Sequence, residues 1–154
     1  MSAPAVGTLA PDFELPSHHG GTVRLSGFRG THHVVIAFHP LAFTPVCATQ
    51  MQQYERERAT LEDLDAKVLG ISIDAGPAKA AWADMLGGIS FDLLSDFHPH
   101  GQVASAYGVM RDDGISQRAL FVVGKDGRIA WAKIYEIPEQ PDFTELVDVL
   151  KALS

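Results

Sequence analysis

The stretch Val34-Val35-Ile36-Ala37-Phe38-His39-Pro40-Leu41-Ala42-Phe43-Thr44-Pro45-Val46-Cys47 contains a change of pattern that decides how the chain folds. Its first five residues form an unbroken, largely β-branched apolar run, the mark of a strand covered on both faces. Pro40 ends that strand, because it has no N–H to give to a ladder. A helix is expected next: Thr44 is placed to cap its amino end, and Pro45 suits the first helical position, where the missing N–H has no intrahelical partner anyway. Apolar residues then recur at Cys47, Met51, Tyr54, Leu61 and Leu64, close to helical spacing, while Glu55, Arg56, Glu57 and Arg58 mostly face water. One long helix accounts for this pattern.

Outward from this unit the same alternation continues. Lys67–Ile73 reads as a second buried strand, and Asp74-Ala75-Gly76-Pro77 turns the chain into a helix around Ala78–Met85. Phe91–Leu94 is a short apolar piece and Gln102–Tyr107 a short helix. Ala119–Val123 and Arg128–Ala132 enclose Gly124-Lys125-Asp126-Gly127, a hairpin signal through its Asp-Gly pair, and Phe143–Leu153 has Phe143, Leu146, Val147 and Leu150 on one side of a closing helix. Upstream, Asp12–Leu15 and Thr22–Leu25 flank Ser17-His18-His19-Gly20-Gly21, a second hairpin. Strand–helix–strand–helix followed by a hairpin and a helix predicts an α/β fold, with a central mixed sheet, helices on both faces and an N-terminal hairpin. No repeat or linker interrupts the sequence, so residues 1–154 are expected to form a single domain.

Composition narrows the function classes. With 46% apolar and 20% charged residues, the chain is too apolar for disorder. A formal net charge of −7 repels phosphate backbones and anionic lipids, so neither nucleic acid nor a membrane surface is an expected partner. No run is long enough to cross a bilayer and Met1–Gly7 has no signal-peptide pattern, which predicts a cytoplasmic location. The chain has one cysteine, so it can form no internal disulfide and no cysteine-based metal cluster. The pairs His18-His19, His32-His33 and His98-Pro99-His100 fall in expected turns, far apart and without helical spacing, and are read as solvated loop residues rather than metal ligands.

The single cysteine is also the candidate for chemistry. Cys47 falls in the first helical turn, where unpartnered N–H groups and the helix dipole favour a thiolate. A lone cysteine is also often a small core residue, and position alone does not separate the two. The surrounding Pro40-x-x-x-Thr44-x-x-Cys47 resembles the active-site signature of the peroxiredoxins, thiol peroxidases on a thioredoxin-like fold. The resemblance extends through Gly7–Leu15, Leu94-Ser95-Asp96-Phe97 and Ala106-Tyr107-Gly108-Val109, and Arg118, just before a strand, matches the family's active-site arginine. Within the family, the chain resembles the compact one-cysteine members related to alkyl hydroperoxide reductase E and the bacterioferritin comigratory proteins.

The resemblance implies that Cys47 attacks hydrogen peroxide or a small organic hydroperoxide and becomes a sulfenic acid, with no metal, haem or flavin cofactor. Arg118 would stabilise the thiolate and the charge spreading over two oxygens, Thr44 and the N–H groups of Val46 and Cys47 would orient the peroxide, and Pro40 would shield the sulfur from water. Two positions depart from the family pattern. His39 stands where an aromatic is commoner; it could donate a proton, but is expected to be a surface substitution on the outward side of the strand end. Gln50 stands where many relatives carry a glutamate that holds the arginine; it can accept the same bond without charge. Since no second cysteine exists, the sulfenic acid must meet an external thiol: a small thiol, a thioredoxin- or glutaredoxin-like protein, or another subunit. The subgroup also implies a homodimer. The rival functions are a redox relay or peroxide sensor, a thiol transferase, and a silent scaffold. Trp82 is read as a core or subunit-contact residue.

Overall fold

In a computed structural model, which describes residues 2–153, the chain forms a five-stranded sheet and a small N-terminal hairpin. The hairpin pairs β1 (Glu14–Pro16) with β2 (Thr22–Arg24), antiparallel. The main sheet consists of β3 (His33–Phe38), β4 (Ala66–Ser72), β5 (Asp92–Ser95), β6 (Arg118–Val123) and β7 (Ile129–Tyr135), in the spatial order β5-β4-β3-β6-β7. β3 runs parallel to β4 and antiparallel to β6, so the sheet is mixed, as its pattern predicts. Every residue of the central strand β3 is buried, which is what an uninterrupted apolar run requires.

The expected long helix is two: α1 (Pro45–Arg56) and α2 (Arg58–Asp63). Glu57 leaves helical geometry at φ −96°, ψ 16°, and its N–H closes α1 on the Gln53 carbonyl. Leu61 still reaches the core, so the apolar spacing survives the break that it conceals. The remaining helices are α3 (Gly76–Met85), α4 (Gln102–Ala106) and α5 (Phe143–Ala152), the last capped by the Asp142 carboxylate on the Thr144 N–H.

Strand alternation divides the interior into two cores. Val34, Ile36 and Phe38 face one side with Phe121, Tyr107 of the α4 end and Leu15 of the hairpin. Val35 and Ala37 face the other, where Cys47, Met51 and Tyr54 of α1, Trp82 of α3 and Leu146 and Leu150 of α5 pack. Helices therefore cover both faces. On β6, Leu120 and Val122 belong to the α1 side, and the two-residue period carries Arg118 to that side too. β7 extends to Tyr135 with exposed Lys133 and Ile134; it is an edge strand, and a lysine there blunts pairing with other chains.

Candidate active site

Cys47 sits in the first turn of α1 and is 0% exposed. Arg118, which proves to be the first residue of β6 and pairs with Tyr135, is 2% exposed and reaches across to it. Its Nη1 and Nη2 each lie 3.4 Å from Cys47 Sγ, and two further bonds fix the guanidinium plane: Nη1 donates to Gln50 Oε1 at 2.9 Å and Nε to the Ile137 carbonyl at 3.0 Å. Gln50 is itself oriented, since its Nε2 donates to the Tyr54 hydroxyl at 2.9 Å one turn further along α1. Burial pushes the Tyr54 phenol up to about 12, so it stays neutral. A planar cation so held presents two parallel N–H groups to a sulfur or to two oxygens.

The loop from Pro40 to Thr44 covers this arrangement. Pro40 and Ala42 are buried, while Phe43 turns outward, 52% exposed, with φ +63°. For a non-glycine residue that left-handed conformation carries strain, and it occurs one residue before the helix start. Thr44 occupies the N-cap position of α1 with extended backbone, but its side chain does not cap. The expectation is corrected here: Thr44 Oγ1 donates to the Leu41 carbonyl at 2.7 Å, which tightens the loop and leaves the hydroxyl oxygen free to accept. Val46 and Cys47 lie in the first turn, where backbone N–H groups point beyond the helix end.

His39 departs furthest from expectation. It is not on the surface but 0% exposed, because Val35, Ala37 and His39 share the side of β3 that α1 and α3 cover. Its ring lies 5.2 Å from that of Trp82, and its Nε2 is 2.8 Å from Lys79 Nζ. Burial, with the charges of Lys79 and Arg118, holds the imidazole well below its ordinary range. Lys79 also donates to Ser72 Oγ at 2.8 Å, and Ser72 in turn donates to Asp74 Oδ2 at 2.6 Å. The same carboxylate oxygen accepts from the Ala42 N–H at 2.9 Å, so the network ends in the Pro40–Thr44 loop. Sequence reasoning missed Lys79, Ser72 and Asp74. The signal was the alternation of β4, which sets Ser72 on the side of Val68 and Ala66, beneath α3.

The histidine pairs do not converge. His18 and His19 both reach the Ile89 carbonyl, and His100 the Gly114 carbonyl. His33 corrects the turn expectation, being the first residue of β3 and buried. Among the described residues no three His, Cys, Asp or Glu side chains are grouped so as to hold a metal ion. No helix among them is long and apolar enough to cross a membrane.

A mixed α/β sheet of this order, with a buried cysteine opening a helix that packs on its central strands, is a thiol oxidoreductase architecture. Residues 6–132 match the AhpC/TSA family, and the chain belongs to that family of peroxiredoxins, the thiol peroxidases. It is 39% identical to alkyl hydroperoxide reductase E of Mycobacterium tuberculosis (strain H37Rv) over 150 residues, 97% of each chain. It is 31% identical to a chloroplastic 2-cysteine peroxiredoxin of Chattonella marina var. antiqua, covering 96% of this chain and 80% of the relative. Among solved structures, the reduced 2-Cys peroxiredoxin of Plasmodium vivax superposes with a TM-score of 0.89 at 26% identity, covering 97% of this chain and 82% of that one. The peroxidoxin BcpB of M. tuberculosis gives 0.84 at 26% identity, with 97% of each chain covered. The fold is accordingly thioredoxin-like.

Proposed function

We propose that this enzyme reduces hydrogen peroxide or small organic hydroperoxides by a one-cysteine cycle centred on Cys47. The observation that carries the reading is the fixed Arg118 guanidinium, with two N–H groups 3.4 Å from Sγ. In the first step the Cys47 thiolate attacks the terminal peroxide oxygen in line. An S–O bond forms, the O–O bond breaks, and the leaving oxygen takes a proton to become water or alcohol, leaving a sulfenic acid. Arg118 neutralises charge as it passes from sulfur to oxygen. The N–H groups of Val46 and Cys47 donate to the peroxide oxygens. Because the Thr44 proton is committed to Leu41, its oxygen accepts the O–H of the substrate and so sets which oxygen faces the sulfur. Buried Pro40 keeps water off the site.

The Arg118 fork favours this reading over thiol transfer, since two N–H groups in one plane suit a two-oxygen substrate and disulfide exchange needs no such clamp. Completion of the cycle falls to an external thiol, either a small thiol or a thioredoxin- or glutaredoxin-like protein. The working form is a cytoplasmic homodimer that uses no metal, haem or flavin. Stopped-flow mixing of reduced protein with hydrogen peroxide, with a sulfenic-acid trap and Cys47→Ser as control, tests the first step. Arg118→Ala should slow oxidation roughly 100-fold, the scale of a lost oxyanion donor. A Cys47 no faster than an ordinary free thiol removes the peroxidase reading, and an unchanged rate in Arg118→Ala removes the arginine from it.

A further inference from the structure

The chemistry above has no role for Lys79, yet this lysine is 0% exposed and lies under the active-site loop. Burying an ammonium is unfavourable unless its donors are met, and here they are met from three directions. Nζ contacts His39 Nε2 at 2.8 Å, Ser72 Oγ at 2.8 Å and the Gly70 carbonyl at 3.4 Å. The charged and titratable groups around it come from every packed element. Cys47 on α1 and Asp74 beyond β4 favour its protonated form, His39 beyond β3 touches it, and Arg118 on β6 faces His39. Of its three contacts the Ser72 hydroxyl leads only to Asp74 and the third is a carbonyl, whereas His39 has a second ring nitrogen, Nδ1, that is buried and without a hydrogen-bond partner, so it alone can pass a proton onward.

Oxidation of Cys47 changes the charge balance of this pocket. In the peroxidase reading the reacting form of Cys47 is a thiolate, whose charge faces Arg118 and, with that of Asp74, favours the ammonium of Lys79. Afterwards the sulfur is a neutral sulfenic acid, and because Gln50 carries no charge, no carboxylate among the described residues contacts Arg118. Lys79 loses at the same time the favourable charge of Cys47, so its buried ammonium is then least tolerated. At the same moment the departing oxygen needs one proton. We propose, resting on the peroxidase reading, that Lys79 supplies this proton through His39, so that oxidation of Cys47 takes none from solvent. The step balances: thiolate, hydroperoxide and lysine ammonium give sulfenic acid, alcohol or water, and neutral lysine amine. Sulfur is oxidised, the peroxide oxygens are reduced, and the proton moves from nitrogen to oxygen. Burial already brings the lysine down to about 7, so just below neutral pH it holds a proton that it can give readily to the far more basic leaving oxygen.

Proton counting tests this. Reduced protein in weakly buffered solution with a pH indicator is mixed with one equivalent of hydrogen peroxide at about pH 6.5, just below the lysine's titration. Trapping of the sulfenic acid measures the extent of oxidation. The wild type should take up close to no protons per Cys47 oxidised, and Lys79→Gln close to one, a difference that a merely structural role for the lysine would not produce. One proton taken up by the wild type, or equal counts in the two proteins, overturns the inference. Should Lys79→Gln fail to fold, the wild type labelled with carbon-13 at the lysine ε-carbon reads the same event. With only five lysines and one buried, the Lys79 resonance should move from the ammonium to the amine position on oxidation, and a stationary resonance overturns the inference. Wild-type protein whose Cys47 is not oxidised at all overturns the peroxidase reading itself, and this inference with it.

Discussion

At the scale of single residues, the site is organised around cations that are buried before they are useful. Arg118 is held by an amide and a carbonyl rather than by a carboxylate, and Lys79 by a neutral imidazole and a hydroxyl. Such cations lower stability, and for Lys79 the sign and the window can be stated. Burial depresses its folded value to about 7 from the ordinary 10.5, so between those limits the unfolded chain holds a proton that the folded chain does not. Stability therefore rises with pH across that window, and the burial penalty is present in full below about 7. In a Cys47→Ser background, which removes the titrating thiol from both proteins, wild-type Lys79 should lose stability relative to Lys79→Met as pH falls from about 10 to about 7, with the difference levelling off below. Urea denaturation over that range measures it, and a pH-independent difference would contradict the burial of the charge. Pro40, Thr44 and Cys47 stand out in the sequence because their spacing forms a motif, Arg118 because it matches the family's arginine just before a strand, and Gln50 because it stands one turn from Cys47; the structure sets Arg118 against Cys47 and Gln50. Lys79 and His39 do not stand out. Each is polar, and nothing local distinguishes a polar residue at a covered strand end from one in water until the helix that covers it is placed.

At the scale of elements, α1 carries Cys47, and β4 is the bed on which it rests. Gly70 marks the contact: a Cβ there would meet Leu93 Cδ2 at 2.8 Å and Met51 Sδ at 3.0 Å, the latter one turn from Cys47. Both obstacles are side-chain atoms in a packed core, so Leu93 and Met51 must give way, and the displacement of Met51 presses on the turn of α1 that follows Cys47. Gly70→Ala should lose about 1–3 kcal/mol by denaturant unfolding. It should also slow peroxide oxidation, because a small displacement of Sγ from the Arg118 fork weakens an alignment that depends on distance. Loss of stability with an unchanged oxidation rate would show that α1 moves as a body with Arg118. Periodicity predicted the existence and order of these elements, since burial on both faces of β3 and β4 leaves long apolar runs. It did not predict the break at Glu57 or the loop bond of Thr44. Leu61 keeps helical spacing across the break, and a threonine at an N-cap has two competing acceptor and donor choices that only the path of the loop decides.

At the scale of the whole molecule, one cysteine sealed between a sheet and its helices leaves the proposed cycle incomplete within the chain. The oxidised sulfur has no second cysteine to close on, and while α1 keeps its first turn, Sγ has no exposed surface on which an outside thiol could attack. In this conformation Sγ is closed to either molecule, so both need the cover to loosen, and the larger reductant requires the Pro40–Thr44 loop or the first turn of α1 to open. The strained φ of Phe43 marks the weakest point of that cover. The consequence is a stoichiometric limit. Without added thiol, the protein should consume one equivalent of hydrogen peroxide quickly, shown by intact mass as one added oxygen. It should then consume a second slowly, passing to the sulfinic acid, and stop without an internal disulfide. A small thiol added after the first equivalent should restore turnover, with the mixed disulfide on Cys47 visible by mass. That reduction should quicken in mild denaturant, well before global unfolding, if opening of the cover limits it. Sustained peroxide consumption with no thiol present, or reduction no faster in mild denaturant than in water, would mean that the sulfenic sulfur is served by a route other than the one this burial imposes.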